Sequence, residues 1–173
     1  MFATRRLVAA AIAVGGAAVL AVPALAGPFS PLRSSGPTTV HDANYAGVQT
    51  EVHVVNTGDG KTLVTLHASG FPESSRNKTH GAHVHAKACG ANTGDSGGHY
   101  QNPTPAPDDT LAEKEIWLDL AINSAGRGSA QAIAPWTINP GDAGSVVIHL
   151  DPTNPQTGGA AARLLCTTVP FSS

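Results

Sequence analysis

The run Val48-Gln49-Thr50-Glu51-Val52-His53-Val54-Val55-Asn56, then Thr57-Gly58-Asp59-Gly60, then Lys61-Thr62-Leu63-Val64-Thr65-Leu66-His67-Ala68, decides the fold class. Val48, Thr50, Val52 and Val54 fall on one side of an extended chain, and Gln49, Glu51, His53 and Val55 on the other. A period of two marks a half-buried strand. The Gly/Asp cluster between the two runs is turn chemistry, so the segment predicts a β-hairpin. His53 and His67 are read as ordinary strand residues.

Further strands are expected over residues 80–86, 116–122, 130–133, 146–150 and 162–169, with loops over 70–78, 89–109, 137–144 and 151–159. Asn77-Lys78-Thr79 in the first of these loops matches a glycosylation sequon. No internal repeat is visible. Nineteen glycines, thirteen prolines and 5% aromatic residues suit many short strands and turns better than long helices. Seven or eight short strands predict an all-β protein, a sandwich or barrel of about eight antiparallel strands.

Residues 1–26 read as a signal peptide. Arg5 and Arg6 precede an apolar run over 7–22, and Ala24-Leu25-Ala26 fits a small-x-small cleavage site. Removing them from 173 residues leaves 147, enough for one hydrophobic core. Two of the ten basic residues go and all twelve acids stay, a net charge of −4, which argues against a nucleic-acid partner. The apolar run is about 16 residues, short of the about 20 that span a bilayer, so no membrane span is expected in the mature chain. Localisation is expected to be exported: periplasmic, cell-envelope or extracellular. Residues 27–47, rich in Pro, Ser and Gly, read as a flexible N-terminal arm carrying a solvated His41, and 48–173 as the domain. In an exported chain Cys89 and Cys166 read as one disulfide; two unrelated buried thiols are the alternative.

The densest chemical signal is Gly81-Ala82-His83-Val84-His85. Histidines two apart on a strand share a face and can bind one metal, while Val84 points into a core. His99 follows in Gly97-Gly98-His99-Tyr100, where the glycines let the backbone approach closely. His149 ends Val146-Val147-Ile148-His149, at the rim of a core strand. Four imidazoles suit copper, zinc or iron, and four nitrogens in a flattened arrangement point to Cu(II). Arg163, three residues before Cys166, is a fixed cation that would attract a small anion.

Over residues 48–169 the sequence resembles the copper/zinc superoxide dismutase family, in the form of its bacterial exported branch. The resemblance rests on His80-Gly81-Ala82-His83-Val84-His85, Gly97-Gly98-His99-Tyr100 with Asn102-Pro103, Leu118-Asp119-Leu120, Val146-Val147-Ile148-His149 and Gly158-Gly159-Ala160-Ala161-Ala162-Arg163-Leu164-Leu165-Cys166. It implies a Greek-key β-barrel and copper ligands His83, His85, His99 and His149, with His99 at the position that bridges copper and zinc. It further implies a Cys89–Cys166 disulfide, Arg163 as the anion-guiding arginine, and His80 as a structural residue behind the ligands. The implied reaction is dismutation of superoxide to dioxygen and hydrogen peroxide, with His99 also carrying a proton.

Two departures from the family stand out. Residues 100–118 contain no histidine, and Ile116 stands three before Asp119 where a zinc histidine is usual. Asp119 is thus a remnant zinc position, zinc is not expected, and a copper-only protein is. Asp108, Asp109, Glu113 or Glu115 could offer oxygen ligands in principle, but zinc draws mainly on His and Cys. Asp119 or Glu115 is then the candidate to hydrogen-bond the second nitrogen of His99, as zinc would orient it. The second departure is the thirteen-residue span 150–162, with no Lys and one acid, Asp151, so the charged funnel is reduced. The alternative function is a secreted copper-binding or copper-storage module on the same fold, with little turnover. Oligomeric state is not legible.

Overall fold

The computed structural model describes residues 32–35 and 38–171. The expected signal peptide over 1–26 lies outside the described residues. In chain order the strands are β1 (Leu32–Ser35), β2 (Thr39–Val40), β3 (Gln49–Asn56), β4 (Thr62–Ser69), β5 (Thr79–His80) and β6 (Ala82–His85). A one-turn helix α1 (Leu111–Lys114) follows, then β7 (Leu120–Ala121), β8 (Arg127–Ala134), β9 (Ser145–His149) and β10 (Arg163–Thr168). One sheet has the order β1-β3-β4-β8, a second β2-β10-β9-β6, and β5 pairs β7 in a short ladder. Every pairing is antiparallel. The all-β antiparallel expectation therefore holds, with eight strands in two four-stranded sheets.

The hairpin runs in full register from Gln49 opposite Ser69 to Asn56 opposite Thr62. Thr50, Val52 and Val54 of β3 and Thr62, Val64, Leu66 and Ala68 of β4 point inward and are buried. Val52, Val54, Val64, Leu66 and Ala68 share one core with Val84, Val146, Ile148, Leu164 and Leu165 of the second sheet, in the two-layer logic of a sandwich. Burying each such aliphatic side chain contributes roughly 1.5–3 kcal/mol. The turn closes through Thr57 N–H to Lys61 O, with Gly60 at φ +81°, a left-handed conformation that suits glycine.

Three differences from the sequence reading have local causes. The segment expected as a flexible arm is, where described, part of the fold. β1 pairs β3, β2 pairs β10, and Tyr45 is in the core. Strands of two and four residues on sheet edges are too short for periodicity to reveal, and their partners lie far along the chain. Over 116–122, where a strand is expected, burial alternates, with Ile116, Leu118, Leu120 and Ile122 buried, but only Leu120–Ala121 is a strand. The rest meets β6 through a single bridge, His83 to Trp117. Helix α1 was not expected; the Glu113 carboxylate caps it by accepting from the Thr110 backbone and hydroxyl.

Candidate metal centre

The second sheet sets the site. β6 pairs β9, with His83 opposite Val147 and His85 opposite Ser145, so both histidines leave the same face. His149 ends β9, and β10 places Arg163 directly opposite it. The register shifts between Arg163 and Leu165, a bulge that re-aims the end of β10 beside the cluster. His99 arrives from the long loop after β6 through a bridge to His85. The four histidines each offer one nitrogen, and these atoms lie within 4.8 Å of one another. His83 and His99 rings are 4.0 Å apart between centroids, His85 and His99 4.9 Å, and His83 and His149 4.9 Å.

Hydrogen bonds fix which nitrogen each ring presents. His85 Nδ1 faces Gly97 O at 3.1 Å, His149 Nδ1 faces Ala161 O at 3.2 Å, and His99 Nδ1 faces Glu115 Oε2 at 2.7 Å. A carbonyl or carboxylate only accepts, so these three rings carry the proton on Nδ1 and present a lone pair at Nε2. His83 is reversed: its Nε2 bonds Thr153 Oγ1 at 2.7 Å, and that hydroxyl donates to Asp119 Oδ1. With Thr153 spending its proton on Asp119, His83 donates from Nε2 and presents Nδ1.

The presented atoms His83 Nδ1, His85 Nε2 and His149 Nε2 are buried and have no hydrogen-bond partner. Orphaned buried nitrogens on converging rings are costly unless a ligand takes them, so the donor set fits a metal ion. Burial, then the neighbouring imidazoles, lowers His83 to about 2. Burial lowers His85 to about 3 and His149 to about 4, with Arg163 adding to both and a backbone carbonyl opposing. All three rings are neutral at physiological pH, the form a metal needs. His99 is the exposed member, its side chain 18% accessible against 0–4% for the other three residues.

Arg163 is held by three acceptors: Thr93 O at 2.6 Å, Ser96 Oγ at 2.9 Å and Gly97 O at 2.7 Å. Gly97 O thus accepts from both Arg163 and His85 and ties the cation to a ring of the cluster. Cys89 and Cys166 form a disulfide, which closes this loop onto β10. A surface depression of about 560 Å³ adjoins Arg163, lined also by Thr93, Gly94 and His41.

The remaining expected residues also have clear positions. His80 is buried behind the cluster, its Nδ1 bonded to His149 O at 2.9 Å and its ring stacked on Phe71. Of the two candidates to hold His99, Glu115 does so and Asp119 does not. Asp119 is engaged by the Thr153 backbone and hydroxyl and by Ala82 N–H. Thr153, Gln101 and Trp117 went unnoticed in the sequence. Gln101 Nε2 and Trp117 Nε1 both donate to Glu115, at 2.9 and 2.7 Å. Thr153 and Gln101 matter through partners distant in the chain, and Trp117 through Glu115 two residues before it, whose own role depends on the distant His99.

The backbone is similar to that of a SOD-like protein from Bacillus subtilis, with a TM-score of 0.56, 15% identity, and coverage of 82% of this chain and 99% of that one. It is similar to a double mutant of a SOD-like protein from the same organism, with a TM-score of 0.53, 14% identity and coverage of 79% and 98%. The clock protein EA4 matches with a TM-score of 0.50, 14% identity and coverage of 82% and 95%. At these identities the likeness establishes a shared fold. No family model and no curated protein matches the sequence.

Proposed function

On the premise that this chain has the superoxide dismutase-like fold, we propose that it is an exported, copper-dependent superoxide dismutase that works without zinc. The observation that supports this reading most is the set of three orphaned buried nitrogens that converge with His99 while Arg163 stands across from His149. His83 Nδ1 and Nε2 of His85, His99 and His149 would hold the ion. All-nitrogen ligation suits copper, which when bound supplies one-electron redox chemistry.

The chain's own residues do the rest. Arg163, braced by Thr93, Ser96 and Gly97, presents a fixed positive charge that attracts a small anion such as superoxide. Glu115 keeps the Nδ1 proton of His99 in place, so Nε2 of the most exposed ring is the nitrogen that can exchange a proton with solvent. Thr153 and Asp119 hold His83 in the opposite tautomer. The Cys89–Cys166 disulfide suits an oxidising, exported environment. No helix among the described residues is long and apolar enough to cross a membrane.

Superoxide decay followed by stopped flow tests the reading, with protein loaded with copper alone and the His149→Ala variant as control. Fast decay that vanishes in the variant supports a copper-only dismutase. Tight copper binding with no decay above the variant rejects it in favour of a copper-binding or storage module.

A further inference from the structure

We propose that Glu51, His53 and His67, on the outer face of the first sheet, form a second and weaker site for a divalent transition-metal ion. In the β3–β4 register Glu51 stands directly opposite His67, and His53 follows two residues along on the same face. The three residues therefore stand together on one face of the sheet, two imidazoles and one carboxylate, a donor set that suits zinc or copper. Glu51 Oε1 and His53 Nε2 are 2.9 Å apart. Two tetrahedral ligands about 2.1 Å from one ion stand about 3.4 Å apart, so the pair opens by a few tenths of an ångström to admit it. The His53 and His67 rings are 6.0 Å apart and edge-on. All three residues reach solvent, with His53 and Glu51 side chains 24% and 46% accessible. Glu51 and His67 also line a groove of about 590 Å³ that gives an ion an open approach.

The ion replaces the proton shared by Glu51 and His53, which leaves to water. His67 Nδ1 is bonded to Ser129 Oγ at 3.0 Å, a contact that ion binding gives up. The three side chains do not converge as they stand, since the four-histidine set is the one convergent group among the described residues. Binding requires a turn of the exposed His67 ring away from Ser129. Arg127 lines the same groove, and its charge keeps the affinity for a dication below that of the buried cluster.

The site does not depend on what the four histidines bind, and its test separates the two. Copper-loaded full chain is titrated with Zn(II) by calorimetry. One further equivalent is expected, with a dissociation constant on the order of micromolar. His53→Gln and His67→Gln are each expected to weaken it by about tenfold or more. The double variant loses it, with copper content and melting temperature unchanged. Absence of a further equivalent up to about 1 mM Zn(II) overturns the proposal. So does an equivalent that persists in the double variant.

Discussion

Oε2 of Glu115 lies 2.7 Å from Nδ1 of His99, and the same oxygen accepts from Trp117 Nε1 at 2.7 Å. Burial pushes the Glu115 carboxyl up, but hydrogen bonds from His99, Trp117 and Gln101 outweigh it and hold the group at about 2. A permanently ionised carboxylate therefore stands behind the most exposed ring of the cluster and fixes its tautomer. It is expected to orient His99 within the cluster.

Removing that support is expected to loosen the fourth ligand. Glu115→Ala leaves His99 Nδ1, Trp117 Nε1 and Gln101 Nε2 without their acceptor, and copper affinity is expected to fall by about 10–100-fold. Glu115→Gln keeps an acceptor oxygen and is expected to lose less. Competition with a chelator of known affinity measures both; equal affinities in wild type and Glu115→Ala would rule out the orienting role.

A similar case rests on the chain His83–Thr153–Asp119. Thr153→Val keeps the shape and removes the hydroxyl. His83 Nε2 then loses its acceptor, and nothing enforces the lone pair on Nδ1. Copper affinity is expected to drop about tenfold or more, while Ser at 153 restores it. The Cu(II) electron paramagnetic resonance spectrum reports the altered ligand field directly. An unchanged spectrum and affinity in Thr153→Val would show that the relay is only structural.

How much of this was legible follows from how local each signal is. The β3–β4 hairpin alternates over eight residues and was readable to within one residue. The four histidines were readable because two share a strand face and the others sit in segments resembling a known family. Strands β1 and β2 were not, since a two-residue edge strand owes its existence to β10 rather than to its own sequence. Asp119 was read as a remnant metal position, yet it meets Thr153 from a loop more than thirty residues away. Glu115 was one of two candidates, and only the one-turn helix ending before it and its bridge to Gln101 settle which carboxylate reaches His99.

Acid should destabilise the metal-free protein earlier than the loaded one. His83, His85 and His149 are lowered to about 2, 3 and 4 in the fold, whereas an unfolded histidine titrates near 6.5. The unfolded chain binds more protons below that value, so the neutral rings contribute full stability above about pH 6.5 and lose it as pH falls toward their folded values. Each ring contributes a slope of about 1.4 kcal/mol per pH unit in that window. Urea midpoints of metal-free protein should be level above pH 7.5 and drop steeply between pH 6 and 4. A level midpoint through that interval would mean that the rings protonate within the fold.

Gly81 leads into the His-x-His strand and packs against the loop that carries Thr153, its N–H bonded to Asp151 O. A Cβ there would come within 2.6 Å of Ala160 Cβ and 2.9 Å of both Asp151 O and Thr153 Oγ1. Gly81→Ala is expected to destabilise the protein by about 1–3 kcal/mol through overpacking and to displace Thr153 from His83. Chemical denaturation reads the first effect and copper affinity the second. Loss of stability without loss of affinity would separate the packing of this loop from its hold on His83.

The Cys89–Cys166 disulfide joins two arms of one device. Cys166 is three residues beyond Arg163 on β10, and Cys89 begins the loop whose Thr93, Ser96 and Gly97 hold the guanidinium. The bond closes a separation of 77 residues. On chain-entropy grounds its removal costs about 4–5 kcal/mol. Replacing both cysteines by serine should therefore lower the melting temperature sharply. It should also free the loop to move relative to Arg163, so that azide, a small anion probe, binds the copper-loaded protein less tightly. The second effect is measured well below the variant's own melting temperature, where the fold persists. If azide affinity there equals that of the wild type, the eleven main-chain pairings of β10 and β9 with their neighbours, and not the disulfide, hold Arg163 in place.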